Sequence, residues 1–225
     1  MHIEPGVVDG AKMAFAYATA AGAAGYTAKL ALADLKTHNI VSFAARTVIA
    51  MIGTFIFFEL LPHVAVGISE VHFILGTTLF LMMGAAPAAL GLALGLLVQG
   101  AFFAPSDLPM YFVNVTTLLV PLFAISAVAQ RFIAHDKAYV DLAYADVFKL
   151  SAMYQGGVVA WVAFWAFYGQ GVGADTAVSV LTFGAAYMLV VLIEPIADLA
   201  VLAGAKALRG RGVASLFTDR LYNAA

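Results

Sequence analysis

EVHFILGTTLFLMMGAAPAALGLALGLLVQGAFF, running from Glu70 to Phe103, is the stretch on which the number of membrane crossings turns. From Phe73 onward its only polar side chains are Thr77, Thr78 and Gln99, and its one break is Gly84-Ala85-Ala86-Pro87. A spanning helix needs about 20 mostly apolar residues. Read as two segments, the stretch gives a weak first span, because the uninterrupted apolar run Phe73 to Met83 has the length of a re-entrant or buried piece. Apolar windows elsewhere lie at roughly 11 to 33, 43 to 62, 109 to 130, 147 to 168 and 175 to 203, and the divided stretch adds 70 to 84 and 87 to 103. Charge decides between one crossing and two, since Lys and Arg accumulate in cytoplasmic segments. With two crossings and the N-terminus outside, Lys29, Lys36, Arg46, Arg131, Lys137, Lys149, Lys206, Arg209, Arg211 and Arg220 all fall at cytoplasmic ends, leaving only Lys12 outside. With one crossing, Arg131, Lys137 and Lys149 would sit opposite Lys29, Lys36 and Arg46. The sequence therefore predicts an all-α, multi-pass bundle of about seven transmembrane helices in the plasma membrane, N-terminus outside and C-terminus cytoplasmic.

Composition supports this class. Of 225 residues, 64% are apolar and only 11% charged, against about 45–50% and 25% in soluble domains. So few charges could not cover a soluble surface. A net charge of −2 with no dense basic run offers nothing to a phosphate backbone, which excludes nucleic-acid binding. Cysteine is absent, so any metal must be held by nitrogen or oxygen. We expect a single integral domain over 1–225, with an extracytoplasmic segment at 1–10 and a basic cytoplasmic tail at 204–225. Small residues at i, i+4 spacing, Ala14, Ala18 and Gly22 in the first span and Gly91 with Gly95 in the fourth, allow close helix packing; internal packing is the expected use.

The start carries the sharpest chemical signal. Met1-His2-Ile3-Glu4-Pro5-Gly6 lacks the basic n-region of a cleavable signal, and the bulky second residue predicts that Met1 is retained with a free amine. In a chain beginning X-His, the terminal amine, the amide nitrogen of His2 and the Nδ1 of its ring can bind one metal in a plane, closing a five-membered and a six-membered ring. One further nitrogen completes a square, the geometry of Ni(II) or Cu(II), and Co(II) can share it. The amine must lose its proton, so binding weakens as pH falls. The last donor should be an outer-side histidine. His38 and His135 fall in cytoplasmic loops, leaving His63 and His72, and we favour His72 because a ring below the membrane surface needs a partner.

These residues resemble the CbiM/NikM family, the substrate-binding membrane subunits of energy-coupling-factor (ECF) importers for cobalt and nickel. Members typically begin Met-His-Ile followed shortly by Gly, as Met1-His2-Ile3 and Gly6 do, and carry a His-Leu-Leu-Gly-like segment at the outer start of the third span, similar to His72-Phe73-Ile74-Leu75-Gly76. Leu97-Val98-Gln99 and Asn114 correspond to a Leu-Val-Gln and a later Asn in the next two spans. The likeness covers roughly the first half of the chain. It implies Met1, His2 and His72 as metal ligands, with Gln99, Asn114, His63 and Glu70 at most as supports around them. Glu4, Glu70 and His63 stand outside the family pattern, as do Pro5 and Ser106-Asp107-Leu108-Pro109. The resemblance further implies Co(II) or Ni(II) as cargo with no other cofactor, a coupling transmembrane (T) subunit and cytoplasmic ATPase subunits as partners, and leaves open a small accessory membrane subunit.

Other polar residues support rival readings. Glu59, Glu194 and Asp198 could serve an ion- or proton-coupled transporter of another small solute, since intramembrane carboxylates are functional by default. We instead expect Glu59 near the outer end, and Glu194 and Asp198 close enough to the cytoplasmic end to meet Lys206 or water. Trp161, Trp165 and Tyr168 read as interfacial anchors. A metalloenzyme would need an open coordination position, which a square of four nitrogens lacks, and the His-Glu-x-x-His, Gly-x-x-x-x-Gly-Lys and Gly-x-Ser-x-Gly signatures are missing. We therefore expect a transport subunit rather than an enzyme.

Overall fold

The computed structural model describes residues 2–224; Met1, and with it the expected amine donor, lies outside the described residues. The chain is nearly all helical. Its helices are α1 (Met13–Asp34), α2 (Ile40–Phe55), α3 (Gly76–Met83), α4 (Ala85–Phe102), α5 (Tyr111–Phe132), α6 (Tyr144–Gln170), α7 (Ala174–Met188), α8 (Glu194–Ala207) and the single turn α9 (Asp219–Tyr222). Among the described residues, five helical stretches are long and apolar enough to cross a membrane: Ile40–Leu60, Ala85–Phe102, Pro105–Phe132, Tyr144–Gln170 and Ala174–Ala207. At 22 residues α1 is as long as these, but Gly, Thr and Lys dilute its apolar character.

The expected span at 70 to 84 is not one helix. Ser69–Val71 forms a strand, β2, paired antiparallel with β1 (Val64–Val66), and the turn between them uses Gly67 at φ +62°. Helix begins only at Gly76, and the eight residues of α3 rise about 12 Å, well under the roughly 30 Å of a bilayer core. All eight are buried. The apolar run is short because it sits inside the protein, where its neighbours satisfy the extended backbone before it. A Cβ on Gly76 would lie 2.2 Å from the Tyr154 ring, so this entry point is packed directly on α6.

The two small-residue stripes behave differently. A Cβ on Gly91 would lie 2.3 Å from Ala50 Cβ, and one on Gly95 2.6 Å from Thr54 Cβ, so that stripe lets α4 approach the α2 backbone, as expected. Ala14, Ala18 and Gly22 on α1 are exposed, and a Cβ on Gly22 would meet nothing within 4 Å among the described residues, contrary to the expected internal packing.

Contacts sort the loops into two ends. At one end the N-terminal segment lies on the hairpin: Ile3 bridges Ser69, and Glu70 N donates to His2 O at 3.0 Å. The segment then crosses the last turn of α6 so closely that a Cβ on Gly169 would lie 1.8 Å from Val7 O. At the other end Arg46, fully buried, pairs with Asp34 and donates to Met83 O. The basic tail folds over this end, Thr218 N donating to Met82 O and Arg220 to the carbonyls of Ala134 and His135.

Three placements correct the sequence reading. Glu194 and Asp198 do not meet Lys206, which pairs with Asp141 at 2.8 Å; both carboxylates are buried. Glu194 accepts from Ile74 N (3.0 Å), Leu75 N (3.1 Å) and the Gln155 amide, and Asp198 accepts from the Thr78 hydroxyl. Glu194 opens α8, with Pro195 beside it, and Asp198 lies one turn on, just after the last long span breaks at the 3₁₀ turn Leu189–Leu192. Trp165 is not an interfacial anchor: it is fully buried against Phe15 and Tyr168, while the partly buried Trp161 donates to Thr116 Oγ1.

Candidate metal centre

His2 enters the site because the strand-like N-terminal segment is pinned on both sides of it. The Ser69 hydroxyl donates to His2 O at 2.8 Å, and Ile3 N donates to Asn114 Oδ1 of α5 at 2.9 Å. The ring is then fixed by α4, its Nε2 donating to Gln99 Oε1 at 2.9 Å. Gln99 is oriented in turn by donating its amide to Glu59 Oε2 at 3.3 Å. Such a partner selects which nitrogen of a histidine is left to bind a metal, and with Nε2 engaged by Gln99 it is Nδ1, the nitrogen that can close a ring with the His2 backbone.

His72 and Glu70 come from β2 and the residue after it. Side chains alternate along a strand, so residues two apart share a face, and these two face His2 together. His2 Nδ1 lies 3.2 Å from His72 Nε2 and 3.0 Å from Glu70 Oε2, and His72 Nε2 lies 2.8 Å from the same carboxylate oxygen. His2, Glu70 and His72 are the described residues whose donor atoms converge closely enough to hold a metal ion. Both histidines are buried, and Glu70 is partly exposed. The His2 and His72 hydrogen bonds hold the Glu70 carboxyl well below the usual carboxylate range, so it is charged. His72 brings a single ring nitrogen, Nε2, against both of the other donors.

The remaining sequence candidates surround this triangle. His63 stacks flat on His72, with ring centroids 4.7 Å apart, but it is exposed and its nitrogens are not among the converging donors. Phe58 stacks on His72 at 4.9 Å and meets His2 edge-on. Gln99 and Asn114 hold the His2 ring and the adjoining backbone. Three features were missed in the sequence: the donor position of Glu70, the Phe58 wall, and Asp107, whose carboxylate lies 3.8 Å from His2 Nε2. Strand alternation ahead of His72 could have revealed the first.

Comparison with known proteins places these elements in a family. No curated protein and no solved structure gives a significant match. The family model CbiM, described as cobalt uptake substrate-specific transmembrane region, matches residues 2–211, which covers His2, the hairpin, α1 to α8 and the start of the tail. The chain is a multi-pass membrane protein, and it belongs to the CbiM family of cobalt-uptake transmembrane proteins.

Proposed function

We propose that this protein is the cargo-capture subunit of an ECF-type importer for a divalent transition metal, Co(II) or Ni(II). The ion is taken up outside the cell by the Met1 amine, the His2 amide and Nδ1, and His72 Nε2. The observation that carries this reading is the convergence of His2 Nδ1 and His72 Nε2, 3.2 Å apart, on one Glu70 carboxylate oxygen in a largely buried pocket, two nitrogens that can give up their protons to a cation beside a negative charge that favours one. In this reading the chain crosses the membrane seven times with its N-terminus outside, α3 and the extended residues before it making the third pass. ATP hydrolysis belongs to separate cytoplasmic subunits, coupled through a T subunit in the membrane.

The ion-coupled rival has less support. The oxygens of Glu194 are engaged by two backbone N–H groups and an amide, and Glu59 orients Gln99.

The N-terminus provides the test. One residue added ahead of Met1 moves the amine out of the chelate ring, and Co(II) and Ni(II) affinity should fall by about a hundredfold, as should that of His72→Ala, while His63→Ala keeps the visible spectrum of the bound metal. An extended protein that binds as tightly as the parent rejects the proposal.

A further inference from the structure

The three converging donors are too close together to belong to a single plane. With metal–nitrogen bonds of about 2.0–2.1 Å, neighbouring donors at right angles lie about 2.9 Å apart, opposite donors about 4.1 Å, and tetrahedral donors about 3.3 Å. The observed separations are 3.2, 3.0 and 2.8 Å, all far short of 4.1 Å, so no two of these donors sit opposite each other, and in a square-based set each adjoins the other two. In the planar set proposed above, the His2 amide nitrogen adjoins His2 Nδ1, and His72 Nε2 takes the corner opposite that amide. No in-plane position neighbours both Nδ1 and His72 Nε2. A donor beside both must lie above the plane, and Glu70 Oε2 is that donor.

We propose that Glu70 is an axial fifth ligand and that it makes this site prefer Co(II) to Ni(II). The inference rests on the capture reading above and assigns Glu70 a role beyond it. One physical argument leads there. Ni(II), with eight d electrons in a square of strong nitrogen donors, fills the orbital that points along the axis and repels a fifth donor. Co(II), with seven, has that orbital half filled and accepts one; ligand geometry is the usual basis of discrimination among such ions.

The test uses the full chain with its native N-terminus, titrated with Co(II) and with Ni(II) as wild type, Glu70→Gln and Glu70→Leu. Both variants should lose Co(II) affinity by at least about tenfold while Ni(II) affinity stays within about twofold, the scale on which ligand-shell changes act. The electron paramagnetic resonance of bound Co(II) should change with them. Retained Ni(II) binding shows that the variants fold. An unchanged Co(II)/Ni(II) ratio, or a parallel loss of both ions, overturns the role of Glu70 and leaves the capture reading standing. Metal binding that is as tight in the N-terminally extended protein and in His72→Ala as in the wild type would instead overturn the capture reading itself.

Discussion

Glu70 illustrates what its neighbours do to a single carboxyl. The two histidine nitrogens beside it hold that carboxyl below the unfolded value of 4.5, so its contribution to stability is present above that value and lost as pH falls further. The metal-free protein should show a melting temperature that declines progressively below about pH 4.5, and Glu70→Gln should flatten that decline. Cargo binding follows a different curve: its fall with acid should track the terminal amine, about 7.7–8.0 in reference compounds. Much of this site is readable from residue types alone. His2 and His72 stand out because a chelating start and an outer histidine have few alternative uses. Glu70 does not, since a carboxylate two residues before a histidine has meaning only once that segment is known to be a strand.

That segment shows where reading at the level of elements fails. Apolar length marks the long helices well, but it cannot distinguish lipid contact from protein contact, so a short buried helix with a hairpin ahead of it reads as a weak span. Long-range pairing of Ile3 with Ser69 leaves no periodic trace. The cost of extended backbone inside the bundle is met from afar by Glu194, which accepts from Ile74 N and Leu75 N beside Leu75 at φ +51°, a left-handed conformation rare for a leucine. Glu194→Ala strands both N–H groups at about 1–3 kcal/mol each, and a thermal-shift assay should report a clear drop in melting temperature. Glu194→Gln keeps an acceptor oxygen there and should recover most of the loss. A glutamate ahead of a proline near the end of the last span gives no hint of this partner, 119 residues away.

For the whole molecule, the basic residues predict orientation and the fold predicts which loops share an end. The chain contains no cysteine, so single cysteines report sidedness without background. Ser106→Cys, in the exposed loop beside His2, should react with an impermeant thiol reagent applied to intact cells, and Asp136→Cys, at the end where the tail folds, should react only after the membrane is opened. The reverse pattern would turn the molecule over and put the metal centre on the wrong side for uptake.

The docking of Thr218 on Met82 has a mechanical consequence. One short, fully enclosed helix joins that grip to the loop bearing His72, and a close-packed interior transmits displacement instead of absorbing it. A tug on the C-terminal tail therefore arrives, a dozen ångströms on, at the ring assigned to the proposed capture site, so that release of an ion need not begin at the end that holds the N-terminal segment.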